Sequence, residues 1–173
     1  MQMARGQQVG LEETMRRWNG LTALAPQHRR GHHQMLISIS PKWGYPGDVM
    51  DEFVESVVDT APDGSALHLL RVAAQVEHWL DLSERPSIAY LMDETQETRA
   101  RTAIARWLHP SGTDPRGIIS GHNLAAFWHC IRGRLDEARP HFEQTRGYCD
   151  QFPWAYLNGD ALETYAEYRR KAG

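Results

Sequence analysis

Along most of this chain apolar side chains return every third or fourth position, and each run of them stops near a proline or a glycine. A period of 3.6 gathers such residues on one stripe of a helix, and the stripe must be buried against another helix. Leu11, Met15, Trp18, Leu21 and Leu24 form the first stripe, which Pro26 stops. A second helix runs from near His28 to Ile39. The alternation in Met35, Leu36, Ile37 and Ile39 also suits a strand, but an isolated strand has no partner here. Residues Pro41 to Gly47 are dense in Pro and Gly and make the clearest linker, with Asp48 placed to cap the next helix.

Val49, Met50, Phe53, Val54, Val57 and Val58 make the next stripe, and Ala61 to Gly64 break it before Ser65, a capping residue. Leu67, Leu70, Ala73, Ala74, Val76, Trp79 and Leu80 follow with the same period, so these two helices pack antiparallel across a short turn. Pro86 opens a further helical stretch whose apolar face continues through Ala100, Ala103, Ile104, Trp107 and Leu108, and His109 to Gly117 is a loop. Leu124, Phe127, Trp128 and Ile131, then Gly133, then Leu135, Ala138, Phe142 and Tyr148 read as a helix hairpin that Pro153 ends. Ala161 to Lys171 makes a terminal helix, with Leu162, Tyr165 and Tyr168 inward and Glu163, Glu167 and Arg170 in water. That is the pattern of a capping helix. The expected fold is all-α, antiparallel hairpins stacked as a short solenoid.

With 173 residues, 41% hydrophobic and 24% charged, the chain supports one folded domain, taken as residues 11–173 after a flexible N-terminus at 1–10. Its 19 basic and 22 acidic residues leave no positive excess to attract a phosphate backbone or an anionic membrane. Neither nucleic acid nor membrane is an expected partner. Residues 1–10 contain no apolar stretch that could serve as a signal core or a span, so a cytoplasmic location is expected. Cys130 and Cys149 read as reduced, buried thiols.

The run Gly133, Arg134, Leu135, Asp136, Glu137, Ala138, with Phe142 after it and Ala126 before it, resembles the middle of a tetratricopeptide repeat. His122, His129 and Thr145 depart from that pattern, and Pro140 conflicts with a helix interior. A second echo is the pair Ala25-Pro26 and Ala61-Pro62, 36 residues apart, close to the repeat length of about 34. The segment from His32 and Leu36 through Pro41, Lys42, Trp43 and Gly44 to Met50 and Phe53 is similar to an uncharacterised family of bacterial helical-repeat proteins with a Pro-Lys-Trp-Gly linker. That resemblance spans roughly residues 11 to 80 and implies a fold, with no activity attached to it; Tyr45 stands where a Gly is usual.

Histidine is the residue type that most invites chemistry. His28 and His32 lie one helical turn apart and are the candidate metal ligands, but no third ligand accompanies them and no metal centre or other cofactor is assigned. His122 and His129 lie two turns apart on one helix, with Asp136 and His141 on the next. If that hairpin closes, a histidine and a carboxylate meet, the minimum for acid-base work. No nucleophile motif accompanies them, so no catalytic residue is assigned. The charged residues Asp93, Glu94, Glu97, Arg99 and Arg101 read as a solvated face. Trp18, Trp79, Trp107 and Trp128 fall on apolar stripes and read as core. Trp43 and Trp154 lie outside the stripes, as staples for linkers or as anchors for a partner.

Two functions fit. One is a protein-protein interaction or scaffold module that receives a peptide or helix on a helical-repeat surface, with His122, Asn123, His129, Trp43 and Trp154 as groove residues and self-association compatible with it. The other is a small helical metal-binding protein or enzyme that uses the histidines, with a closed pocket in place of a groove.

Overall fold

The computed structural model describes residues 10–111 and 118–173. The flexible N-terminus expected for residues 1–10 lies outside the described residues apart from Gly10, as does most of the loop expected at 109–117. Among the described residues the chain is helical without a strand. The α-helices are α1 (Leu11–Leu24), α2 (Arg29–Ser38), α3 (Gly47–Val58), α4 (Leu69–Asp81), α5 (Glu84–Met92), α6 (Glu94–Trp107), α7 (Ile118–Ile131), α8 (Leu135–Gln144), α9 (Gln151–Asn158) and α10 (Ala161–Ala172). Single 3₁₀ turns at Pro41–Trp43 and Ala66–His68 precede α3 and α4.

Local chemistry sets the helix ends. The His28 ring accepts from Gly31 N at 3.0 Å, Asp93 from Thr95 N at 2.7 Å and Asp160 from Glu163 N at 2.9 Å, each a side-chain cap on a first-turn N–H. Ser65 does the same for Leu67 N in its 3₁₀ turn. Asp48 is not the cap of its helix: α3 begins at Gly47 after Pro46, which puts Asp48 in the first turn, where its charge suits the positive end of the helix dipole. The stretch opened by Pro86 divides in two, because Asp93 leaves the helical conformation and caps α6. Pro140 stays inside α8, on its exposed side, where water can serve the carbonyl that loses its donor. Pro153 starts the regular part of α9, since Phe152 before it is not helical.

Sequence neighbours pair as α1 with α2, α3 with α4, α7 with α8 and α9 with α10. Across the pairs, α4 packs on α2, α6 and α7, while α9 and α10 lean on α7 and α8. Leu69, Leu70, Val72, Ala73 and Val76 of α4 and Leu124 to Trp128 of α7 make the centre of the core, all essentially without solvent exposure. Tyr165 is buried and Tyr168 packs against the core as expected. Leu24, Leu162 and Tyr148, read as inward, are exposed. Leu24 and Leu162 sit at helix ends, and α8 stops before Tyr148, where Arg146 and Gly147 take positive φ and turn the chain.

At Gly121 helix α7 lies against Trp107 of α6 and Leu69 of α4. A Cβ there would stand 2.5 Å from Trp107 Cζ2 and 2.9 Å from Leu69 Cδ1, so only a glycine lets α4, α6 and α7 meet. Gly121→Ala gains helix propensity but overpacks the core, and a net loss of about 1 to 3 kcal/mol is expected. Urea unfolding checks it: a midpoint at or above wild type contradicts the close approach.

Candidate functional site

Helix α7 buries every residue from Gly121 to Cys130, including His122, Asn123 and His129. A buried polar side chain is stable only with a partner, so the neighbours of these three decide what the region can do. Asn123 is fully used. Its Nδ2 donates to Ile119 O (2.9 Å) and Tyr148 O (3.0 Å), and its Oδ1 accepts from Asp150 N (3.1 Å) and Trp154 Nε1 (2.8 Å). One amide thus binds the turn after α8, and the start of α9, to α7.

The hairpin of α7 and α8 brings three imidazoles together. His122 Nδ1 lies 2.9 Å from His141 Nδ1, which requires one ring to donate and the other, neutral, to accept. His141 stacks on His129 with ring centroids 5.6 Å apart and 14° between planes, while the Trp107 ring closes the other end against His122. Burial pushes His122 down to about 4 and His141 to about 3, with His129 and His122 repelling a proton on His141 as well. Burial also lowers His129, against the attraction of Glu137 and Glu97.

The carboxylate that meets the histidines is Glu137, whose Oε2 is 3.7 Å from His129 Nδ1. Asp136, the expected partner, points into solvent and pairs with Arg139. Beside Glu137 lies Glu97, 2% exposed, which corrects its reading as part of a solvated face. Its carboxylate accepts from Arg101 Nε (2.6 Å) and Trp128 Nε1 (3.3 Å) and lies 2.8 Å from Arg132 Nε. Arg101 also pairs with Glu137, as does Arg134 at 3.4 Å. The sequence carried a signal for this: Glu97 stands on the same stripe as Ala100, Ile104 and Trp107, and charges on an apolar stripe need buried counter-charges.

Ligand atoms of Glu97, His129 and Glu137 fall within 4.8 Å of one another, close enough to consider a metal. Three guanidinium groups already hold the two carboxylates, and a divalent cation among them would meet their charge at short range. The donor set therefore fits an ion-pair clamp joining α6, α7 and α8. His28 and His32 do not converge on a shared ligand. His28 Nδ1 caps α2, while His32 Nε2 donates to Pro26 O (2.8 Å) and its Nδ1 accepts from Trp18 Nε1 (3.3 Å). Cys130 and Cys149 are free thiols, and burial raises Cys130 to about 12, which keeps it protonated.

Of the five side chains read as groove residues, His122, Asn123, His129 and Trp154 are buried. Trp43 is 57% exposed. Its turn is nonetheless fixed: Lys42 Nζ donates to buried Glu77 Oε2 at 2.6 Å, Tyr156 OH donates to Glu77 Oε1 at 2.9 Å, and Gly44 takes φ +86° to close the turn. The linker is fastened to α4 and α9, and it presents an indole ring outward. No family model, no curated protein and no solved structure matches this chain.

The histidines tie stability to pH. They are neutral in the fold, whereas in the unfolded chain they take up protons below their ordinary 6.5. The unfolded state then binds more protons, so stability is full above about pH 6.5 and falls as pH drops toward the folded values, by ~1.4 kcal/mol per unit for each such group. Urea midpoints measured from pH 7.5 to 4 should fall steadily. His141→Leu should be less stable at pH 7.5 and flatter across the range. An equally steep profile in that variant counts against the cluster as the source.

Proposed function

We propose that the chain is a cytoplasmic protein-interaction module built of degenerate tetratricopeptide-like hairpins, binding a peptide or helix of a partner through the surface around Trp43. The observation that carries this reading is an exposed tryptophan on a turn locked by Lys42 and Tyr156 through the buried carboxylate of Glu77. Aromatic side chains held rigidly at the surface supply large contact area with little entropy to lose on binding. The buried α7 and α8 histidines speak against chemistry on a substrate, because no reactant reaches them unless the hairpin opens.

The repeat character has support beyond the paired Ala-Pro steps. His32 bonds to the carbonyl of Pro26, and 36 positions on, His68 Nε2 bonds to the carbonyl of Pro62 at 3.0 Å. In both hairpins a histidine in the second helical segment holds the proline turn that ends the first. No helix among the described residues is long and apolar enough to cross a membrane. The metal-binding alternative rests on the proximity of Glu97, His129 and Glu137. Metal analysis of the purified protein separates the two readings, since a stoichiometric ion lost in His129→Ala belongs to the second.

Trp43→Ala should leave the thermal midpoint within about 1 °C, because an exposed side chain contributes little to folding. It should remove at least one protein captured by wild type in quantitative affinity purification, and that protein should bind purified wild type directly. Partners retained equally by wild type and Trp43→Ala contradict the anchor.

A further inference from the structure

Helix α5 holds to the rest of the molecule by one face. It packs on α4 and α6 through the partly buried Tyr90 and Leu91, and among the described residues it is the only α-helix with no buried side chain. At about 3.6 residues per turn, Ser87, Tyr90 and Leu91 lie on the inner side, while Arg85, Ile88, Ala89 and Met92 share the opposite one. Ile88 is 64% and Met92 68% exposed. A single exposed apolar side chain needs no explanation, but here two large ones and an alanine stand together on successive turns of one helix. Their spacing makes them contiguous, so all three meet whatever lies against this face.

Charges of opposite sign stand at the two ends of the stripe. Arg85, exposed and paired with no carboxylate among the described residues, lies in the first turn. Asp93 and Glu94 lie at the other end, both exposed, and Glu94 reaches Arg134 at 3.1 Å with its side chain still 76% open to water. A partner that fits is an apolar helix carrying the reverse order of charge, and a second α5 laid antiparallel has that order. About a two-fold axis at Ala89, Arg85 of one copy comes opposite Asp93 of the other, since each is four residues from the axis. The two helix dipoles then oppose each other, and the small Ala89 at the crossing lets the axes come close.

We propose that α5 is the contact of a weak two-fold homodimer, in which Ile88 and Met92 of each copy are covered by the other. Two helices crossing over about two turns cover only a few hundred Å² on each copy. That places the contact among transient interfaces, with a dissociation constant on the order of 100 µM. A contact this weak makes pairing follow local concentration.

The test is sedimentation equilibrium of the full chain from about 10 µM to about 1 mM, a range that brackets the expected constant. Wild type should climb from 19.8 kDa toward twice that mass. A variant carrying Ile88→Ser and Met92→Ser should dissociate at least tenfold more readily, with an unchanged thermal melt because both side chains are exposed. A second measurement reads the geometry. With oxidised glutathione as oxidant, Ala89→Cys should form a disulfide-linked dimer well above the wild-type level set by Cys130 and Cys149, while Ala166→Cys, at an exposed position of α10, should not. The proposal is overturned if the mass stays at that of the monomer up to about 1 mM. It is also overturned if the serine variant associates like wild type, or if Ala89→Cys links no better than Ala166→Cys.

Discussion

The structure depends on burying α7 from every side. A helix wrapped by protein has no solvent face, so each polar group it carries must find a protein partner or destabilise the fold. Asn123 meets that requirement with four hydrogen bonds, His122 with His141, and Trp128 with Glu97. Apart from Ile119 on α7 itself, those partners lie on α6, α8, α9 and the turn between α8 and α9. The polar side chains of α7 thus determine how the second half of the molecule is assembled around it. Its glycine does the same toward the first half, by admitting Trp107 and Leu69.

Helices were legible because a 3.6-residue period and Pro or Gly punctuation are local features. The hairpin at α7 and α8 follows from them, while the helix at Met35 to Ser38 was legible because a lone strand there would lack a partner. What local pattern does not contain is the angle at which one helix meets another, and that decides which residues of a stripe are covered. Nor does it show that Leu24 and Leu162, at the ends of their helices, are left uncovered. The same limit applied to Asn123 and Trp154. Both were visible as polar or linker-side residues suited to a groove, yet their bond to each other lies in the core across 31 positions of chain. Glu97 is different: its place on an apolar stripe was readable, and only its distant partners Trp128, Arg132 and Arg134 were not.

Internal and external features divide by role. The imidazoles of α7 and α8, the clamp around Glu97 and the Asn123 amide are enclosed by protein, so they act on folding and its pH dependence. Trp43 faces solvent. A helical fold with an enclosed polar core and an exposed aromatic turn is suited to recognition more than to turnover, and that contrast is the basis of the functional reading.

Native-state hydrogen exchange tests the central role of α7 most directly. If the buried helix is the keystone, the amides of Leu124 to Cys130 exchange only through global unfolding, with a free energy equal to that from urea denaturation and matched by the core of α4. Exchange of α7 amides at a clearly lower free energy, while α4 stays protected to the global limit, would show that α7 opens by itself and contradict the account.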